Sequence, residues 1–228
     1  MFQKVLDFLT TKEVYSEVET YYYPTLAGNI VLFLLIAALF VALAAFAGSK
    51  KKMRVKQLAF SAMAVTLAVV TSFIKFADLP YGGSITLFSM FFICLIGYLY
   101  GPRAGIMTGI AYGFLELILD PTIMHPIQML LDYPIAFGFL GLAGVFSKSK
   151  YGIMKGYVLG VFGRYVCHVI TGYLFFYMYA PAGTNPMVYS LGYNATYIVP
   201  EAIATIALLF IPVVHAAFLE VKKMAIEN

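Results

Sequence analysis

The feature that most constrains this chain is a series of apolar segments, each about twenty residues long. The first runs from Thr25 to Gly48 without a charged residue. About 20 apolar residues in a helix span the hydrocarbon core of a bilayer, whereas membrane barrels show alternating segments of about ten. Hydrophobic residues make up 62% of the chain, against roughly half in soluble domains. We therefore predict an all-α integral membrane protein.

The basic residues predict how the chain is threaded through the membrane. A cluster at residues 50–56 follows the first span, and such clusters stay on the cytoplasmic side. Alternating threading from there puts eleven of the 15 Lys and Arg residues on that side, with the N-terminus outside. The six later spans are predicted at about 57–76, 85–100, 104–119, 127–146, 154–179 and 187–219. The last span is over-long, so its helix either starts late or is kinked at Pro200.

This threading divides the chain into five parts, all placed in or beside a cell membrane. They are an external segment (1–24), an extra membrane helix (25–48), a basic cytoplasmic linker (49–56), a six-helix substrate-binding domain (57–220) and a cytoplasmic tail (221–228). The interval 57–220 contains no internal repeat and no linker long enough to separate further domains.

Five ionisable side chains fall within the predicted spans: Glu116, Asp132, Arg164, His168 and Glu201. Each costs about 2.5–3.5 kcal/mol near the bilayer centre even on the mildest scale, so each needs a partner or a function. Glu116 is one turn from an outer helix end, where it can reach headgroups or water. Arg164 and His168 are spaced i, i+4 and share a helix face.

Aromatic residues make up 17% of the chain and are concentrated in the outer halves of the spans. A carboxylate surrounded by aromatic rings suits a flat cation, which gains from stacking, cation–π contact and charge pairing. The structural alternative is an internal salt-bridge network, for example Asp132 with Arg164, that only holds the helices together. The residues alone leave both interpretations open.

Other chemistries have less support. The chain has no GxxxxGK[ST] loop for ATP and no HExxH zinc motif. Asp132 and Glu201 could form a catalytic carboxylate pair, but the YD and GxGD motifs of intramembrane aspartyl proteases are absent. We therefore predict a protein that is not an enzyme and that needs no cofactor, metal ion or nucleic acid.

Three motifs in order carry a family resemblance: QMLLDYPIAFGFLGLAG (128–144), RYVCHVITG (164–172) and MVYSLGYNATY (187–197). With them the chain resembles the thiamine-specific S components of energy-coupling factor (ECF) transporters, the ThiT/YuaJ type, over about residues 57–220. The resemblance implies that thiamine is the transported ligand. The alternative within transport is an S component for another vitamin or pyrimidine.

The resemblance also implies which residues bind the ligand. The family's carboxylate is a Glu where this chain has Asp132, and its stacking Trp corresponds to Phe176 in a chain that has no Trp. The family's first external loop packs over the ligand, and here it would be Leu79 to Ser84. The implied substrate-binding residues are Asp132, Tyr133, His168, Phe176, Tyr189, Asn194 and, from that loop, Tyr81.

The resemblance implies protein partners as well. S components have no ATPase of their own and dock, within the lipid, on a transmembrane T component that two ATPase subunits drive. The family docks through small residues on the first core helix, and Ala64 and Ala68 fit that pattern here. Small residues at this spacing also let membrane helices pack closely inside a bundle.

Overall fold

The structure is a computed structural model that describes residues 10–14, 20–24, 54–80, 83–86 and 88–226. The predicted membrane helix at 25–48 lies outside these residues. Strands β1 (Thr10–Val14) and β2 (Thr20–Pro24) pair antiparallel. This hairpin and the helices described next fall in two separate units, divided at Lys50.

The second unit is a helical bundle with one small hairpin. Helices α1, α4 and α5 are long and apolar enough to cross a membrane, and α6 with α7 would make a fourth span if counted as one broken helix. The elements in chain order are α1 (Val55–Ser72), β3 (Lys75–Asp78), β4 (Ser84–Thr86), α2 (Ser89–Tyr100), α3 (Pro102–Leu119), α4 (Pro126–Phe146), α5 (Gly152–Phe175), α6 (Pro186–Leu209) and α7 (Pro212–Ile226).

The hairpin β3–β4 shortens two of the predicted spans. Helix α1 ends at Ser72 rather than at 76, and α2 starts at Ser89 rather than at 85. The intervening strands pair antiparallel, with Asp78 opposite Ser84. Backbone groups beyond the helix ends are therefore hydrogen-bonded within the hairpin, as backbone near lipid requires.

The last predicted span breaks before Pro212 rather than starting late, so the prediction of a late start is wrong. Helix α6 begins at Pro186 and continues through Pro200 to Leu209. Helix α6 ends in a tighter turn, in which the Phe210 and Ile211 nitrogens donate hydrogen bonds to the carbonyls three residues earlier, at 3.2 and 3.0 Å. Proline has no N–H to continue the helix, and α7 leaves at 85°.

Helix α4 changes its winding along its length. It begins with a capping box in which the His125 Nδ1 atom accepts from the Ile127 nitrogen and the Gln128 side chain accepts from the His125 nitrogen. Burial lowers the pKa of His125, which favours the neutral ring that can accept this bond. Residues Leu131–Ile135, including Pro134, then form a π-helical segment. Such segments are frequent at functional sites, and this one carries Asp132.

Helices α2, α3 and α4 cross through glycines. A Cβ atom added to Gly105 would come within 2.5 Å of the Gly97 Cα atom and 2.7 Å of the Gly141 Cα atom. The three backbones can approach this closely only because no side chain lies between them. This crossing sets the positions of the helices that form the site.

Ala64 and Ala68 lie on the inner face of α1, which corrects their predicted role as a docking surface. Ala64 is 5% exposed and packs with Ile96 and Ala104, while Ala68 is fully buried in the main core. Their small side chains allow close packing within the bundle. Neither side chain is accessible to a partner protein in this structure.

One end of the bundle is closed by packed side chains. Ile93, Cys94, Leu140 and Tyr157 are fully buried in the main core. Beyond them α7 packs against α2, where the Lys222 Nζ atom donates to the Tyr98 hydroxyl at 2.9 Å and the Tyr100 hydroxyl donates to the Ala225 carbonyl at 3.2 Å.

Candidate functional site

A cavity lies at the other end of the bundle, between the hairpin β3–β4 and helices α3 to α6. It is lined by polar and aromatic side chains from every one of these elements. Six of the seven residues predicted to bind a substrate line it, and the seventh, Tyr81, lies outside the described residues. The six are Asp132, Tyr133, His168, Phe176, Tyr189 and Asn194.

Asp132 accepts hydrogen bonds from side chains on two helices. Its Oδ2 atom accepts from the Gln128 Nε2 atom at 2.7 Å, and its Oδ1 atom accepts from the Thr171 hydroxyl at 2.5 Å. The His168 Nδ1 atom also lies 2.9 Å from Oδ1. Asp132 is only 8% exposed, so these three donors compensate much of the cost of burying its charge.

His168 joins Asp132 to Arg164. The Arg164 Nε atom donates to the His168 Nε2 atom at 3.2 Å, across the helix face that their i, i+4 spacing predicted they would share. An arginine nitrogen can only donate, so Nε2 accepts and the ring proton is on Nδ1, facing Asp132. In these contacts the His168 ring accepts at Nε2 and donates from Nδ1.

Arg164 does not pair with Asp132, so the salt bridge considered as an alternative from sequence is absent. Its guanidinium lies 4.1 Å from the centre of the Phe137 ring, in cation–π geometry. Among the described residues no carboxylate forms a salt bridge with it. Arg164 lines the cavity.

The amide of Asn194 is used within the protein. Its Nδ2 atom donates to the carbonyls of His168 at 3.1 Å and Ser190 at 2.9 Å. Its Oδ1 atom accepts from the Tyr197 hydroxyl at 2.6 Å. Asn194 therefore links α6 to α5 next to His168. Its side chain lines the cavity, although only 4% of the residue is exposed.

Aromatic rings form much of the remaining wall. Tyr189 and Tyr193 stack with centroids 5.8 Å apart, and Tyr193 meets Tyr197 edge-on at 6.0 Å. On the α5 side, Phe176 lies 6.1 Å from Tyr179. All five rings line the cavity, which gives it faces for a flat ligand.

The hairpin β3–β4 is attached to α6 beside the cavity. The Tyr193 hydroxyl donates to the Pro80 carbonyl and accepts from the Gly83 nitrogen. A Cβ atom at Gly83 would lie 2.8 Å from the Tyr197 ring, so a residue without a side chain is needed there. Pro80 and Gly83 therefore lie against the aromatic wall of the cavity.

Two polar side chains, Lys75 and Tyr133, hold the cavity rim. The Lys75 Nζ atom lies 2.8 Å from the Asp120 carboxylate and 3.3 Å from that of Asp78. The hydrogen bond to Asp120 is the main cause that raises the pKa of Lys75. The Tyr133 hydroxyl donates to the Asp120 carbonyl at 2.9 Å and accepts from the Thr122 nitrogen at 2.6 Å, which fixes the loop after α3.

The other two acidic residues of the spans have different roles. Glu201 does not line the cavity. It accepts from Thr86 at 2.7 Å, and from the Ser89 hydroxyl and Met90 nitrogen at 3.3 and 3.4 Å, at the N-terminus of α2. It thus supplies the acceptor that a helix start needs. Glu116 was expected to reach headgroups or water, but it lines the cavity and accepts from the Ser72 hydroxyl at 2.8 Å.

Several lining residues were missed from the sequence. Gln128 and Thr171 had a usable signal, because each lies one helical turn from a predicted site residue. Ser72 and Tyr112 gave none, since a serine at a helix end and a tyrosine within an apolar helix are ordinary features of membrane proteins.

Comparisons with known proteins place the chain among transporters. A family model described as thiamine transporter protein (Thia_YuaJ) matches residues 58–220. The thiamine transporter ThiT of Bacillus subtilis strain 168 is 38% identical over 170 residues, covering 68% of this chain and 87% of that one. A protein of the same name from Lacticaseibacillus paracasei is 32% identical over 165 residues, covering 65% and 79%.

A solved structure agrees with these matches. ThiT from Listeria monocytogenes superposes with a TM-score of 0.57 at 26% sequence identity, covering 67% of this chain and 92% of that one. The prediction of an all-helical membrane fold is confirmed by this likeness.

Proposed function

Because this chain belongs to the thiamine transporter family Thia_YuaJ, we propose that its cavity binds thiamine as the first step of uptake. The resemblance predicted from sequence is confirmed, and the chain is a multi-pass membrane transporter component rather than an enzyme. The observation that carries the binding proposal is the bonded pair of Asp132 and His168 beside stacked tyrosine rings.

The charges around the cavity support a cationic ligand. Among the described residues, the lining includes three carboxylates, Glu116, Asp120 and Asp132, and one permanent cation, Arg164. Lys75 compensates Asp120, so the lining still carries an excess negative charge. Thiamine has a fixed positive charge on its thiazolium ring and a flat aminopyrimidine, which charge pairing and stacking on tyrosine would both favour.

The finer role we propose is that of an S component coupled to ECF partners. The sequence has no nucleotide-binding loop, so energy for uptake would come from a T component and two ATPase subunits. Since Ala64 and Ala68 are buried, the docking surface for these partners would be made by other residues.

Titration calorimetry on the detergent-purified protein, followed by uptake measurements, tests both proposals. We expect one thiamine per chain to bind with sub-micromolar affinity and without turnover. Accumulation in proteoliposomes should then require the partner subunits and ATP. The proposal that thiamine is the ligand would be refuted if no binding occurred at micromolar thiamine, or if a free aminopyrimidine bound more tightly than thiamine. ATP-independent accumulation by the chain alone would refute the coupling.

We also propose that the cavity opens to the cell exterior. The positive-inside distribution of basic residues favours this orientation. Lys150 and Thr184 flank opposite ends of α5, and both side chains are exposed. In intact cells an impermeant thiol reagent should label Thr184→Cys and spare Lys150→Cys, and the two native cysteines are buried. The reverse pattern would overturn the orientation.

A further inference from the structure

We propose that Glu116 is the side chain that recognises the positive charge of the ligand, which gives the site its preference for a cation over an uncharged analogue of the same shape. This inference rests on the proposed binding of thiamine in the cavity. It assigns the charge recognition to α3, whereas the sequence motifs place the site on α4, α5 and α6.

Glu116 is held in position at the cavity wall. It lies one turn before the end of α3 and is half-buried. The Ser72 hydroxyl, at the end of α1, donates to its Oε1 atom at 2.8 Å. The buried Tyr112 hydroxyl, one turn earlier on α3, donates instead to the Ala68 carbonyl at 3.5 Å. The Ser72 hydroxyl thus orients the carboxylate without supplying a positive charge.

The other two carboxylates of the cavity have less capacity for a ligand. Asp132 already accepts from Gln128 and Thr171 and is in contact with His168. A donor from the ligand would have to displace one of these groups. Asp120 forms a salt bridge with Lys75 at 2.8 Å. Glu116 forms no salt bridge with any residue in the described part of the chain.

Electrostatics then favours a cation beside Glu116. A carboxylate that is partly removed from water and has no counter-ion is unfavourable, and bringing a positive charge to it recovers that cost. The interaction strengthens as the ligand and the hairpin exclude water from the cavity, because the effective dielectric falls. An uncharged ligand of the same shape would gain stacking but none of this charge pairing.

The test measures how removing the charge of Glu116 changes the binding of a charged and of an uncharged ligand. Calorimetry on the full chain measures binding of thiamine and of an analogue whose thiazolium is replaced by a neutral thiophene ring. Glu116→Gln should weaken thiamine binding by about tenfold or more and change the affinity for the neutral analogue by less than about twofold. Glu116→Asp keeps the charge and should recover part of the lost thiamine affinity.

Glu220→Gln, an exposed position on α7, is the matched control and should leave both affinities unchanged. Equal losses for both ligands, or a fall in the melting temperature of the ligand-free protein with no difference between ligands, would assign Glu116 to the scaffold. Unchanged thiamine affinity would also overturn the inference while leaving the proposed function intact. Failure of the wild-type protein to bind thiamine would remove both.

Discussion

Replacing Asp132 by asparagine should displace the His168 and Thr171 side chains that it holds at the cavity, and should thereby weaken thiamine binding by roughly 100-fold and lower the melting temperature of the ligand-free protein. All three neighbours of this carboxylate present a hydrogen to it: the Gln128 amide, the Thr171 hydroxyl and the His168 ring nitrogen. An asparagine puts an NH₂ group where one carboxylate oxygen accepts. At least one of these pairs then becomes donor against donor.

A change of the His168 tautomer would not relieve this donor–donor contact. If His168 moved its proton to Nε2 so that Nδ1 could accept from an asparagine, the Nε2 proton would face the Arg164 Nε–H. The donor–donor contact with residue 132 would then be replaced by a donor–donor contact between His168 and Arg164. Losing a partner of a buried polar network costs more than one average hydrogen bond for this reason.

Calorimetry and a thermal melt on the same preparation decide this prediction, with Glu220→Gln as the control for removing a carboxylate. An unchanged affinity with a large drop in melting temperature would mean that Asp132 only supports the bundle. An unchanged melting temperature and affinity would contradict the hydrogen-bond network itself.

Replacing Gly141 by alanine should disrupt the bundle more than the same change at any other glycine in the described part of the chain. The added Cβ atom would come within 2.6 Å of the Ile106 Cα atom and would also contact the Ile106 nitrogen and Gly105 carbonyl carbon. These are backbone atoms, which cannot turn aside as a flexible side chain can. Overpacking typically costs about 1–3 kcal/mol, and a rigid clash between two helix backbones belongs at or above the upper end.

Gly192 provides the matched control for this glycine substitution. It lies on α6, and a Cβ atom added there meets no atom within 4 Å. Gly192→Ala should be neutral or slightly stabilising, because alanine favours a helix over glycine by about 1 kcal/mol. Melting temperature and yield of monodisperse protein in detergent compare the two variants. Equal stability would show that α3 and α4 are not packed through Gly141.

The sequence predicted six of the residues that line the cavity. Intramembrane charge is expensive, so Asp132 and His168 stood out, and helical spacing placed Arg164 beside His168. It did not predict which of them pair. Asp132 pairs with His168 from within the π-helical segment Leu131–Ile135, and no sequence periodicity signals such a segment. Proline gives a similar ambiguity, since α6 continues through Pro200 and breaks before Pro212.

The alanines of α1 show a further limit. A small residue every fourth position indicates a close helix contact, but it does not distinguish a neighbour in the same chain from a separate protein. Only the burial of Ala64 and Ala68 against their own bundle resolves that question. Glu116 is the converse case. Its position near a helix end predicted contact with headgroups or water, but it lines the cavity beside Ser72 at the end of α1.

The packed end of the bundle means that the cavity is closed at its base and is not a channel through the subunit. Below it lie Ile93, Cys94, Leu140 and Tyr157, all without exposed surface, and α7 crosses beyond them. These side chains close the end of the described bundle that lies opposite the cavity. A ligand bound in the cavity would therefore reach the far side only after these helices rearranged or the whole subunit moved.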